Sequence, residues 1–144
     1  MNKTRTTIIA TVALSLVIGL IIVWAVYQNK EITEQQGHVK KFTDENFQQE
    51  VVQASMKRPV LVDFYADWCY PCKMLDPTIK EIARDVKDRA VIGKLNMEKN
   101  LIARRFGINK IPTVYIIRDG EIKTAFFGPV PKETLMKALG EYGS

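Results

Sequence analysis

Hydrophobic positions change their spacing along the chain, and each spacing predicts a different kind of segment. The run from Ile8 to Tyr27 is strongly apolar and carries no charge, which is typical of a helix that crosses a bilayer. Residues 28–37 are polar and predict a short linker. From residue 38 onward, strand-like apolar runs alternate with segments of helical period, which predicts a folded domain over 38–144.

Within the domain, the pattern predicts five strands and four helices. The strands are expected at 38–42, 59–65, 90–96, 113–118 and 121–127, and the helices at 43–55, 69–87, 100–106 and 131–140. Thr43 is expected to cap the first helix, with Asp44 and Glu45 in its first turn, where the helix dipole favours negative charge. Pro77 is expected to kink the second helix without ending it. This order of elements predicts an α/β fold, in which helices cover both faces of a central mixed sheet.

The apolar run at 8–27 has two interpretations, an uncleaved membrane anchor and a cleaved signal peptide. The basic segment 1–7, with Lys3 and Arg5, suits either of them. The anchor is favoured because the run exceeds the usual signal-peptide core of about 7–15 residues and ends without a small-x-small cleavage site. Basic residues lie on both sides of the run, so charge alone does not predict its orientation.

Length and charge exclude several classes of protein. A chain of 144 residues has room for one ordinary domain besides this segment. The net charge is +5, but the basic residues form no stripe and no basic-aromatic motif, so the sequence predicts no nucleic-acid binding. Two cysteines are too few for a disulfide scaffold, which predicts that their role is local chemistry.

Cys69 and Cys72 lie three residues apart, where the buried strand is expected to meet the second helix. That spacing places both side chains on one face of the first helical turn, with Cys69 nearest the unpaired backbone N–H groups. These donors favour a thiolate, because they stabilise its negative charge. Pro71 fits the same turn, since its missing N–H would have no partner there.

Other roles for the two cysteines are less consistent with the sequence. A structural zinc site needs about four ligands, and the chain offers two cysteines and His38. A c-type haem attachment needs histidine directly after the second cysteine, where this chain has Lys73. Two incidental buried thiols remain an alternative to a redox-active pair.

Three separated segments and two single residues resemble the thioredoxin family, and the resemblance covers essentially all of residues 38–144. Residues 62–73, VDFYADWCYPCK, are similar to the active-site strand and turn of that family. Residues 94–96 resemble its third strand, and residues 111–113 resemble the loop that carries a cis proline beside the disulfide. Pro77 and Gly128 also occupy positions where the family has these residues. The resemblance implies a thioredoxin fold, and the apolar run at 8–27 predicts one N-terminal transmembrane helix before it.

The resemblance also implies a role for each reactive group. Cys69 is expected to attack a substrate disulfide and Cys72 to resolve the mixed disulfide. Asp63 is expected to accept a proton from Cys72, with Lys94 nearby. A carboxylate buried in a strand should have a raised pKa, which suits proton exchange near neutral pH. The alternative for Asp63 and Lys94 is a buried ion pair with no part in catalysis.

A second set of residues is expected to bind substrate. These residues are Trp68, Tyr70, Pro71, Ile111, Pro112 and Gly128. If Pro112 is cis, it turns the backbone of Ile111 toward the sulfurs, where an extended substrate could pair as an added strand. An ordinary rigid turn at Pro112 and a purely covering role for Trp68 are the alternatives.

The residues between the cysteines bear on the direction of the reaction. Tyr70-Pro71 stands where thioredoxins usually have Gly-Pro. Oxidising relatives typically have a histidine between the cysteines, and this chain has none there. The sequence therefore predicts a protein-disulfide reductase. An oxidase or isomerase, a cytochrome c maturation thioredoxin and a tethered binding module without turnover are the alternatives.

Partners and location follow by analogy with the family. No cofactor is expected beyond the redox-active Cys69–Cys72 disulfide, and no metal. The expected partners are disulfide-containing protein substrates, the membrane, and a transmembrane thiol electron donor or a thioredoxin reductase. The domain is expected outside the cytoplasmic membrane, in a periplasm or its equivalent, with a cytoplasmic N-terminus. A domain that faces the cytoplasm is the alternative.

Overall fold

The computed structural model describes residues 13–26 and 38–143. The chain divides into two units, with the boundary after Gln35. Residues 13–26 are helical, and their large apolar side chains are exposed. Within the described ranges, no helix is both long enough and apolar enough to cross a membrane.

Part of the predicted N-terminal organisation lies outside the described residues. This applies to the basic segment 1–7, to both ends of the predicted span 8–27 and to the polar linker 28–37. These three assignments therefore stay predictions.

The second unit is built on a five-stranded sheet. Its strands are β1 (Val39–Phe42), β2 (Val60–Tyr65), β3 (Val91–Asn96), β4 (Thr113–Arg118) and β5 (Glu121–Phe127). Their order in space is β1-β3-β2-β4-β5. The first three are mutually parallel, whereas β4 runs antiparallel to β2 and β5 antiparallel to β4. The sheet is mixed, as the sequence predicted.

Four helices cover the sheet on both faces. They are α1 (Gln48–Gln53, with π-type hydrogen bonds), α2 (Tyr70–Val86), α3 (Ile102–Arg105) and α4 (Lys132–Glu141). Side chains alternate across the sheet, so Leu61 packs in one core with α2 and α4, and Val62 packs in the other with α1 and α3. The α2 helix continues through Pro77, as expected.

The start of the first helix differs from the prediction. Regular helical structure begins near Phe47, so Asp44 and Glu45 lie in the preceding turn rather than in the first turn of α1. The Asp44 carboxylate instead accepts hydrogen bonds from the backbone N–H groups of Leu101 and Ile102, at 2.8 and 2.9 Å. Asp44 therefore stabilises the start of α3 and not that of its own helix.

The topology brings three loops to one edge of the sheet. Because β2 and β3 are parallel, the chain leaves both of them at the same edge, where Tyr65 pairs with Asn96. The antiparallel β4 begins there as well, since Thr113 pairs with Phe64. The two cysteines, the segment after β3 and the loop before β4 therefore meet at this edge.

Candidate active site

The two cysteines form a disulfide at the N-terminus of α2. Cys69 is the N-cap residue, and its Cα lies 5.3 Å from that of Cys72. The backbone N–H of Cys72 donates a hydrogen bond to Cys69 Sγ at 3.2 Å. After reduction, the same donor and the helix dipole would stabilise a thiolate on Cys69. The structure thus brings together the pair that the sequence predicted.

The disulfide is shielded from solvent, although residues next to the cysteines in the sequence have exposed side chains. Cys69 and Cys72 are each 2% exposed and cluster with Ala66. By contrast, Trp68 is 68% exposed and Tyr70 is 72% exposed. A partner that reaches the sulfurs therefore meets aromatic surface next to them.

The loop before β4 supplies a cis proline, as the family resemblance implied. The Ile111–Pro112 peptide bond is cis, and Pro112 is buried. The side chain of Ile111 packs against the cysteine cluster. Gly128, with a positive φ of 81°, donates its backbone N–H to the Pro112 carbonyl at 2.8 Å. Gly128 is therefore hydrogen-bonded to the proline loop. The pairing of a substrate segment with the backbone of Ile111 stays a prediction.

Asp63 is a carboxyl group buried inside the domain. It lies in β2 opposite Lys94 of β3, and its side chain is fully buried. Neither carboxyl oxygen has a hydrogen-bond partner among the described residues, and the Lys94 ammonium lies 3.7 Å from Oδ2. Burial raises the pKa of Asp63 to about 6, although Lys94 acts in the opposite direction. The group is thus suited to proton exchange near neutral pH.

Lys94 makes its closest contact with a residue that was not predicted from the sequence. Its ammonium donates a hydrogen bond to Asp76 of α2 and lies 4.3 Å from the centre of the Tyr65 ring. Asp76 also pairs with Lys80 at 3.2 Å. A signal for Asp76 was present, because a residue four positions after Cys72 lies on the same face of a helix.

The segment after β3 also contacts the active-site loop. Glu98 accepts a hydrogen bond from the Trp68 indole at 2.9 Å, and Lys99 pairs with Asp67 at 2.8 Å. The hydrogen bond from Lys99 lowers the pKa of Asp67. Met97 packs against the cysteine cluster. These contacts were not predicted from the sequence, although the position of the segment directly after a parallel strand is a usable signal.

The reactive groups of the site are two sulfurs and one buried carboxyl group. In residues 13–26 and 38–143, no three His, Cys, Asp or Glu side chains lie together in a way that could hold a metal ion. A cysteine pair of this kind interconverts between disulfide and dithiol with transfer of two electrons. The arrangement of the site therefore supports thiol–disulfide exchange.

Known proteins match the same part of the chain. The sequence model of the family described as "Thioredoxin" matches residues 38–141. A thioredoxin of Chlorobaculum thiosulfatiphilum is 43% identical over 101 residues, which are 69% of this chain and 92% of that protein. Thioredoxin 1 of Synechococcus elongatus matches with the same identity and coverage. A thioredoxin of Pseudomonas aeruginosa is 37% identical over 103 residues, covering 71% of this chain and 94% of its own length.

The family match, the relatives and the cysteine pair agree with one another. The matched residues include β1 to β5, the Cys69–Cys72 disulfide and the cis proline loop. The chain belongs to the thioredoxin family, and its Cys69–Cys72 pair is the redox centre of a thiol-disulfide oxidoreductase.

Proposed function

We propose that this protein is a membrane-anchored protein-disulfide reductase. The observation that carries the catalytic part is the position of Cys69, whose sulfur accepts the Cys72 backbone N–H at the start of α2. The N–H donor and the helix dipole stabilise a thiolate at this sulfur, and the thiolate is the form that attacks disulfides.

The reaction proceeds in two exchanges. First, the Cys69 thiolate attacks one sulfur of a substrate disulfide, so a Cys69–substrate bond forms, the substrate S–S bond breaks and the other substrate sulfur leaves as a thiolate. Then the Cys72 thiol gives its proton to the Asp63 carboxylate and attacks Cys69 Sγ. The Cys69–Cys72 disulfide forms and the second substrate thiolate leaves. Two electrons have passed from the protein to the substrate.

Substrate binding is assigned to the surface around the disulfide. Trp68 and Tyr70 are exposed apolar rings, and exposed Pro71 follows them in the same turn. An extended substrate segment pairs with the backbone of Ile111, next to cis Pro112. Gly128 leaves this approach open, because it has no side chain.

The redox potential of the Cys69–Cys72 pair tests whether the protein reduces or oxidises its substrates. The pair is equilibrated with glutathione buffers, and the fraction oxidised is read by thiol alkylation. For a reductase, the expected potential is about −270 mV, the value for thioredoxin. A potential above about −180 mV would indicate an oxidase or isomerase.

A trapping experiment tests the reductase activity itself. In the full-length chain, Cys72→Ser is expected to accumulate a mixed disulfide between Cys69 and a protein substrate, because the resolving thiol is missing. Cys69→Ser is the matched control and should trap nothing. If the wild-type protein reduces no protein disulfide and Cys72→Ser forms no adduct, the protein is a binding module and the proposal is wrong.

The membrane anchor is assigned to residues 8–27. In the described part of this run, the large apolar side chains are between 49% and 70% exposed, and Trp24 is among them. A helix that is apolar on all sides needs an apolar environment. We place the domain outside the cytoplasmic membrane, where a transmembrane thiol carrier supplies electrons. In the cytoplasm, a thioredoxin reductase would do so.

A topology test checks anchoring and orientation together. A reporter active only outside the cytoplasm is fused after Ser144, and membranes are washed at high pH. The expected result is reporter activity in the washed membrane pellet. Activity of a cytoplasmic reporter instead would reverse the orientation, and release of the protein by the wash would contradict the anchor.

A further inference from the structure

Lys94 lies between two carboxyl groups and bonds to only one of them. Its ammonium donates a hydrogen bond to Asp76 but lies 3.7 Å from Asp63 Oδ2, beyond hydrogen-bond distance. The Tyr65 ring, 4.3 Å from the ammonium, holds the same position by a cation–π contact. The positive charge of Lys94 therefore acts on Asp63, but Asp63 accepts no hydrogen bond from Lys94.

Asp76 occupies a specific place on α2. It follows Cys72 by one helical turn, so both residues lie on the face that covers β2 and β3. Asp76 is the less buried of the two carboxyl groups, with 30% of its side chain exposed, whereas Asp63 is fully buried. An ionised carboxylate is therefore less costly at the Asp76 position than at Asp63, because Asp76 is partly exposed to solvent.

The titratable or charged groups on the elements next to Asp63 are Tyr65 from β2, Lys94 from β3, and Cys72, Asp76 and Lys80 from α2. Farther away, Lys41 of β1 pairs with Lys94 in the sheet, and Tyr142 packs against the same core. The neighbour of Asp63 on β4 is Val114, which is apolar. The α4 residues in the same core are also apolar, namely Leu135, Ala138 and Leu139. Lys94 and Asp76 are thus the charges most able to change the titration of Asp63.

We propose that Asp76 is a positioning residue that holds the Lys94 ammonium away from Asp63 and so keeps Asp63 basic enough to take the proton of Cys72. The inference rests on the proposed function for the step in which this proton transfer occurs. Two effects act in the same direction. Asp76 competes for the only ammonium beside Asp63 among the described residues, and its own negative charge disfavours a second carboxylate nearby.

The test measures the titration of Asp63 directly. The oxidised full-length protein is held in detergent micelles, and the carboxyl carbon of Asp63 is followed by NMR against pH. In Asp76→Asn, Lys94 is free to bond to Asp63, so the midpoint is expected to fall by about 1 unit or more. Asp85→Asn is the matched control, because Asp85 lies on the same helix and pairs with Lys132 instead.

A second pair of variants tests whether Lys94 carries the effect. In a Lys94→Met background, Asp76→Asn can act only through its own charge, so the shift of the Asp63 midpoint should be less than half as large. An equal shift with and without Lys94 would overturn the positioning role. So would an Asp63 midpoint that is the same in Asp76→Asn and the wild type. Asp76→Ala, which has no amide to replace the hydrogen bond, should repeat the result.

Activity separates this inference from the proposed function. The acid limb of the pH profile for disulfide reduction should move to lower pH in Asp76→Asn by the same amount as the Asp63 midpoint, and stay in place in Asp85→Asn. If the wild type reduces no disulfide at any pH, the proposed function fails. If the wild type is active and both the titration and the acid limb of Asp76→Asn coincide with it, the inference alone fails.

Discussion

The buried carboxyl group of Asp63 costs the fold stability whenever it is ionised. Its pKa of about 6 lies above the usual 3.8, so the folded state holds this proton more tightly than the unfolded state. The resulting stabilisation is fully present below about pH 4 and is lost as the pH rises through 6. A fold optimised only for stability would place an apolar residue here, which supports a functional reason for the carboxyl group.

Asp63→Asn should therefore change the pH dependence of stability. Relative to the wild type, the free energy of unfolding of the oxidised variant should rise by about 2 kcal/mol between pH 4 and pH 7, because the variant has no proton to lose. Urea unfolding at several pH values measures this difference. The pH dependence is the diagnostic quantity, since the buried amide adds a constant cost of its own. A difference that does not change with pH would show that Asp63 titrates normally.

Prediction from sequence succeeded for residues whose chemistry depends on near neighbours in the chain. Cys69 and Cys72 lie in a short motif that sets their local geometry, and the family resemblance implied a cis proline at Pro112. The hydrogen bond from Lys94 to Asp76 was not predicted, because it depends on how α2 packs across β3. Periodicity identifies the helix or sheet face on which a side chain lies. It does not predict which of two carboxylates accepts the hydrogen bond of a lysine.

At the scale of elements, the difference between local contacts and contacts made by packing also explains the error at Asp44. The sequence indicated Thr43 as the cap of the first helix and Asp44 as a charge in its first turn. It did not indicate that Asp44 accepts hydrogen bonds from the backbone N–H groups of Leu101 and Ile102. The strands β4 and β5 were predicted with their observed bounds, because the Asp119-Gly120 turn between them is local.

The contact between β1 and β3 requires a glycine at position 93. A Cβ on Gly93 would lie 2.3 Å from the Phe42 ring and 2.9 Å from the Lys40 carbonyl oxygen. The ring is buried in the core and the carbonyl belongs to the backbone of β1, so neither can move freely. Gly93→Ala should therefore lower the free energy of unfolding by about 1–3 kcal/mol, as overpacking does.

Gly140→Ala is the matched control for this prediction. Gly140 lies in α4, and a Cβ there meets nothing within 4 Å. Alanine should stabilise the helix by about 0.5–1 kcal/mol relative to glycine. Urea unfolding of both variants measures the two effects, which should have opposite signs. A Gly93→Ala protein as stable as the wild type would mean that β1 can move away from β3.

At the scale of the whole molecule, the redox site depends on the order of the strands. The β2–α2 turn, the segment after β3 and the loop before β4 come from separate parts of the sequence, and they meet because β2 lies between β3 and β4. The alternation of elements predicted a mixed sheet with helices on both faces. Periodicity carries no information on which strands are neighbours, so the strand order could not be derived from it.

The two units of the chain should separate without loss of the redox chemistry. Every buried core residue among those described lies between Phe42 and Leu139, and the family match covers 38–141. Deleting residues 1–37 should therefore leave the rate of disulfide reduction within about twofold and the free energy of unfolding within about 0.5 kcal/mol, as for a change away from the core. The deleted protein should also move from the membrane pellet to the supernatant. Activity assays, urea unfolding and fractionation measure the three quantities, and a deletion protein that stays in the membrane pellet would mean that residues 38–144 carry the membrane attachment.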